Sequence, residues 1–215
     1  KRNNCFNAMF KHTHSENIFN YKKKDDYAYS IHLNLLYDAE FQWSKAGVEM
    51  ALNNKSLCKN FYIYGPIWSS RELKKDLNFE WKKNKDNFTI SLYTTSLGGP
   101  HSVNHELSFV EFFNFANSIL ENYKNALIVL KPKNKIDDFL TNQKTNIIFR
   151  KLKENSRFKI ENSNASSYNV FNNSDISISM SFASPGIEAI CAGKRSFYFD
   201  GLNVFNESYF KKFDK

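Results

Sequence analysis

From Phe88 to Asp200 the chain repeatedly alternates a short apolar run with a segment of helical spacing, and this alternation constrains the fold more than any other feature. Phe88-Thr89-Ile90-Ser91-Leu92-Tyr93 reads as a strand, and the continuous apolar run Ala126 to Leu130 as a strand buried on both sides, ending at Lys131-Pro132-Lys133. Arg157 to Glu161, Asp175 to Met180 and Arg195 to Phe199 read as three further strands. Ser108 and Glu111 form a capping-box signature, and Phe109, Phe112, Phe113, Ala116, Ile119 and Leu120 repeat at helical spacing. Helices are also predicted over about Ile136 to Asn155 and Ser166 to Asn173. Near the end, Ser184 suits an N-cap, Pro185 the first helical position and Gly193 the left-handed residue after a two-turn helix. Connections of this length join parallel strands, so the predicted fold class is α/β, with a doubly wound, mostly parallel sheet.

The first 87 residues read differently. A helix is predicted from about Asp26 to Leu52, because Leu33, Leu36, Ala39, Glu40 and Trp43 recur at helix spacing. Phe61 to Tyr64 is a short β-type run stopped by Gly65-Pro66, and a lysine-rich connector from about Arg71 to Asn87 marks the boundary. The predicted organisation is therefore a partial, mainly helical N-terminal and linker segment over 1–87, followed by an α/β domain over 88–215. The chain begins at Lys1 without Met, so it is expected to be a piece of a longer protein.

Charge and cysteine usage narrow the partners. The formal charge of +8 is scattered over 215 residues, as in Lys22-Lys23-Lys24, Lys74-Lys75 and Lys82-Lys83, which implies solvated faces and a field favouring anions. A single-strand nucleic-acid binder would also be basic and aromatic, but the aromatic residues fall at apolar helix and strand positions, where core packing explains them, so no nucleic acid is expected. Cys5, Cys58 and Cys191 lie far apart, which suggests reduced thiols in the cytoplasm. No apolar run approaches the roughly 20 residues of a membrane helix, which leaves peripheral association with the inner face of a membrane as the membrane option.

In an open parallel sheet, ligands bind outside the carboxyl ends of the strands, so the loops at Thr94 to Pro100, Lys131 to Lys135 and Phe182 to Gly186 hold the candidates. Around Ser184, Pro185 and Gly186 the first amides of a helix could receive a phosphate, with Gly186 offering no side chain to obstruct it. Glu188, one turn in, could accept hydrogen bonds from sugar or ribose hydroxyls. Lys131 and Lys133 could neutralise charge on the same ligand, and Thr94, Thr95 and Ser96 could line it. Each has a plainer reading: a helix start, a dipole-favoured surface acid, a solvated strand exit, turn residues. Asp175 is as well suited to a turn as to a ligand. His101 and His105 follow the first strand in a loop, His12 and His14 receive no role, and no HExxH, paired Cys or aspartate-rich cluster argues for a metal.

The Thr94-Thr95-Ser96 loop, the strand ending Leu130-Lys131-Pro132-Lys133, Asn173-Ser174-Asp175, and Ser184-Pro185-Gly186-Ile187-Glu188-Ala189 with Gly193-Lys194 together resemble the Rossmann-like C-terminal, donor-binding domain of GT-B glycosyltransferases. The resemblance covers about Phe88 to Asp200. It is greatest to the Kdo-transferase and glycerophosphotransferase groups of bacterial surface-polysaccharide (capsule and lipopolysaccharide) assembly. It implies metal-independent transfer of a sugar from a nucleotide-sugar donor to a glycan or lipid-linked acceptor, with no cofactor. Ser184 and Gly186 would contact phosphates, Glu188 a ribose or sugar hydroxyl, and Lys131 the diphosphate. Many relatives have His where this chain has Lys133, and the acceptor domain is mostly missing, so no catalytic base is assigned. A nucleotide-sugar epimerase and a non-catalytic nucleotide- or nucleic-acid-binding module are the rival expectations.

Overall fold

A computed structural model of the chain describes residues 6–10, 37–53, 56–65, 87–97, 106–140, 142–180 and 183–203. The chain divides into two compact units, residues 1–71 with 204–215 and residues 72–203. Among the described residues no helix is long and apolar enough to cross a membrane.

In the first unit β1 (Ala8–Phe10), β2 (Ala39–Gln42) and β3 (Phe61–Ile63) form a parallel sheet in that order, with α1 (Lys45–Asn53) between β2 and β3. The helix expected over about 26–52 is corrected here, because Ala39–Gln42 is the central strand; 26–36 lie outside the described residues. Hydrogen bonding to two strands distant in sequence overrides the local helical spacing. Strand register places Phe10, Phe41 and Tyr62 side by side, their rings stacked at 4.3 and 5.1 Å. Buried Glu40 accepts hydrogen bonds from the Gln42 side-chain amide and the Ser56 hydroxyl.

The second unit carries β4 (Phe88–Tyr93), α2 (Glu106–Asn122), β5 (Ala126–Lys131), a 3₁₀ turn (Ile136–Phe139), α3 (Gln143–Glu154), β6 (Phe158–Ile160), α4 (Ser167–Asn172), β7 (Ile176–Met180), α5 (Ser184–Cys191) and β8 (Arg195–Phe199). All five strands are parallel, in the order β6-β5-β4-β7-β8. The order reverses at β4, as a doubly wound sheet requires.

Two chemically different layers cover this sheet. One face packs Ile90, Leu92, Ile128, Leu130 and Met180 against Phe109, Phe112, Phe113 and Ala116 of α2 and Phe149 and Leu152 of α3. Phe113 and Phe149 meet at 5.2 Å, and Phe115 stacks on Phe199 at 4.8 Å, so this layer is held largely by rings. The other face packs Tyr93 and Val129 against Val170, Phe171 and Ala189 of α4 and α5. It also buries Thr89, Ser91, Ser177 and Ser179, with the hydroxyls of Ser91 and Ser177 bonded at 2.9 Å.

Helix ends depart from the sequence expectation for local reasons. Ser108 is not a cap, because α2 begins at Glu106, whose carboxylate sits in the first turn, where the helix dipole favours it, and accepts a 2.7 Å bond from Asn142 Nδ2. The helix expected over 136–155 is split, since Asn142 Oδ1 accepts from the Lys144 amide at 2.8 Å and starts α3 afresh. Arg157 donates to the carbonyls of Tyr123 and Leu120, and so closes the C-terminus of α2. Gly193 has φ +72 just beyond α5, the left-handed role its type suits.

Candidate functional site

The site is built by strand register at the carboxyl edge of the sheet. Tyr93 pairs with Lys131 on one side and Ser179 on the other, and Ser179 pairs with Tyr198. Paired residues of parallel strands point to the same face, so Lys131, Tyr93, Ser179 and Tyr198 form one row beneath α4 and α5. The row crosses the β4–β7 boundary, where the strand order reverses and the loops diverge.

Lys131 is only 8 % exposed, and its ammonium donates to the carbonyls of Ser163 at 2.7 Å and Pro132 at 3.3 Å. Burial lowers its pKa below the usual lysine value, while the charges of Glu188 and Glu161 oppose that shift. Burial raises the Glu188 carboxyl above its usual value, and Lys131 opposes that shift in turn. The two charges therefore act on one another within the site. Tyr93 and Tyr198 are both held well above the usual phenol value, first by burial and then by the Glu188 charge. Their hydroxyls donate to the carbonyls of Ser167 at 3.1 Å and Ala183 at 3.3 Å. Ser179 Oγ, between them in register, is buried and finds no hydrogen-bond partner among the described residues.

The other expected residues take more local roles. Thr94 is 2 % exposed, and its hydroxyl accepts from the Lys133 amide at 3.1 Å, tying the exits of β4 and β5 together. Thr95 and Ser96 are half-buried in the loop after β4, and Lys133 is exposed. Ser184 is the first residue of α5 and not its N-cap, which is Ala183 in extended backbone; Pro185 is the second residue. Gly186 is buried, and its amide donates to the Ala183 carbonyl at 3.1 Å. Its missing side chain leaves room for the Tyr198 ring, since a Cβ there would lie 2.7 Å from Tyr198 Cε1. Gly186→Ala is accordingly expected to cost about 1–3 kcal/mol through overpacking, read as a lower urea midpoint; an unchanged midpoint would show that the ring yields freely.

Asp175 is not at the site. It lies at the opposite edge of the sheet, where its carboxylate accepts from the Thr89 amide at 2.8 Å. Gly98, Gly99, Pro100, His12, His14, His101, His105 and Phe182 fall outside the described residues. Sequence reasoning missed Tyr93, Tyr198, Ser179 and Glu161. A signal was present, because Ser91-x-Tyr93, Ser177-x-Ser179 and Ser196-x-Tyr198 repeat one hydroxyl pattern on three adjacent strands.

Three comparisons with known proteins bear on the chain. No curated protein matches it significantly. Among solved structures it is similar to S. aureus MnaA in a co-structure with UDP, at 13 % identity and TM-score 0.46, over 84 % of this chain and 52 % of that one. It is also similar to Anabaena HepE in complex with UDP-glucose, at 14 % identity and TM-score 0.44, over 77 % of this chain and 45 % of that one. The chain thus spans about half the length of these structures. The sequence model of one family matches residues 9–214, nearly the whole length, and the chain therefore belongs to the family of polysaccharide biosynthesis PFTS motif proteins.

Proposed function

We propose that this chain binds the nucleotide-activated donor of a glycosyltransferase, which moves a sugar onto a glycan or lipid-linked acceptor during polysaccharide biosynthesis. The observation that carries this reading is the Lys131–Glu188 pair: two opposite charges, each opposed by burial, at the carboxyl edge of a parallel sheet where its strand order reverses. Ionisable groups perturbed by burial and by a specific opposite charge at such a place favour a functional role over a structural one. Membership of a polysaccharide-biosynthesis family is in accord with it.

In this reading the acceptor oxygen bonds to the anomeric carbon, the bond from that carbon to the diphosphate oxygen breaks, and the acceptor's hydroxyl proton passes to the departing diphosphate or to water. The electron pair stays on the diphosphate, whose growing charge Lys131 meets, helped by the N-terminal dipole of α5. Glu188 accepts hydroxyl hydrogen bonds from the sugar or ribose, and Thr95, Ser96, Ser184 and Lys133 line the approach. The test is a thermal-shift screen against UDP-, CDP- and GDP-linked sugars. One of them raises the melting temperature of the wild type, because a ligand that binds only the folded state stabilises it. Glu188→Ala keeps the fold and loses about tenfold or more in affinity for that donor, the value of a charged hydrogen bond. Unchanged affinity by calorimetry would remove Glu188 from the site. Product analysis separates transfer from epimerisation, since only transfer releases the nucleotide from its sugar.

A further inference from the structure

A segment outside the loops so far assigned holds two members of the row at once. From Glu161 to Ser167 the chain leaves β6 and enters α4. Its Ser163 carbonyl receives the Lys131 ammonium at 2.7 Å, and its Ser167 carbonyl receives the Tyr93 hydroxyl at 3.1 Å. The turn is tightly tied: Glu161 Oε1 accepts from the Asn162 amide at 2.9 Å, Asn162 Oδ1 from the Asn164 amide at 2.9 Å, and the Asn162 carbonyl from the Ala165 amide at 3.0 Å. Pairing of Leu130 with Ile160, extended by the 2.8 Å bond from the Glu161 amide to the Leu130 carbonyl, sets Glu161 beside Lys131 at the strand ends.

We propose that the Glu161–Ser167 turn positions Lys131: the Ser163 carbonyl fixes the ammonium, and the Glu161 carboxylate flanks it, so that Lys131 is held charged at the donor's diphosphate. This rests on the donor-site reading above. A buried ammonium bonded only to neutral carbonyls tends to shed its proton, and nearby carboxylates oppose that. The groups facing Lys131 are Glu188 from α5, Glu161 from the end of β6 and neutral Tyr93 from β4; Lys133 and Lys159 are exposed. Since Glu188 is assigned to the donor itself, Glu161 is the carboxylate left to support the lysine once the donor is bound.

The experiment is titration calorimetry of UDP, CDP and GDP with the whole chain, from neutral to about pH 10, for the wild type, Glu161→Gln and Asn162→Ala. Wild-type affinity falls on an alkaline limb as Lys131 loses its proton. In Glu161→Gln the limb moves down by roughly half to one pH unit, so that on the limb affinity is about three- to tenfold below wild type, with little change near neutrality. Comparing the two proteins at the same pH cancels the nucleotide's own ionisation. Asn162→Ala, which loosens the turn but keeps its charge, weakens binding at every pH and leaves the limb in place. A Glu161→Gln profile superimposed on wild type overturns the charge role, and unaltered binding by Asn162→Ala overturns the role of the turn. A wild type that binds none of the three nucleotides overturns the donor-site reading instead, so the two failures are distinguishable.

Discussion

Lys131→Met is expected to lower affinity for the donor nucleotide by about 30-fold or more, because a charged hydrogen bond to a phosphate contributes roughly 2–3 kcal/mol. It is also expected to destabilise the fold, since Glu188 then sits partly buried without the opposing charge that favours its ionised form. The pH dependence follows from the two shifts. Glu188 has a folded pKa above its unfolded one, so its contribution to stability is present below the unfolded pKa and lost as pH rises through the folded pKa. Lys131 has a folded pKa below its unfolded one, so its contribution is present above the unfolded pKa and lost as pH falls through the folded pKa. Both shifts mean that ionisation of either group opposes folding. Lys131→Met combined with Glu188→Gln should therefore be at least as stable as wild type at neutral pH, and more stable than Lys131→Met alone, while binding no donor. Urea midpoints for the wild type, Lys131→Met, Glu188→Gln and the double variant decide this. A double variant no more stable than Lys131→Met would show that the partly buried Glu188 charge costs nothing once Lys131 is gone.

Phe113→Ala is expected to cost about 3–5 kcal/mol, the range for removing a buried ring that the core cannot refill. Phe113 is fully buried on α2 and meets the rings of Phe109, Phe112 and Phe149, so its loss opens a void between α2, α3 and the sheet. Urea unfolding measures the loss, and a value below about 1 kcal/mol would mean that the ring layer repacks. Where the variant remains folded, donor affinity should stay close to wild type. Phe113 packs on the Ile90 and Leu92 face, whereas the Lys131–Tyr93 row occupies the other.

Much of the second unit was legible because its signals are local. Phe88 to Tyr93 and Arg195 to Phe199 were read to the residue, and Gly193 was recognised as the left-handed stop of α5. Ala39–Gln42 was misread because Leu36, Ala39, Glu40 and Trp43 do fit a helical period, and only pairing with β1 and β3 makes them a strand. Lys131 and Glu188 were singled out from chemistry at strand and helix ends, and in the structure their charges act on one another. Tyr93 and Tyr198 were not, because a tyrosine in an apolar strand reads as core, and its neighbour across the sheet depends on long-range register. Gly186 was identified as a position that needs no side chain, but the space it leaves belongs to Tyr198.

The pairing of β4 with β7 has a kinetic meaning. Thr89 and Asp175, joined by a hydrogen bond at one end of that seam, are 86 positions apart. Closing so long a loop costs about 4 kcal/mol of chain entropy on logarithmic scaling, more than any adjacent crossover in this sheet requires. Lys131 arrives with the early half of the sheet and Glu188 with the late half. Residues of the proposed donor site therefore meet only when β4 pairs with β7, and a lesion that delays this seam is expected to delay their meeting.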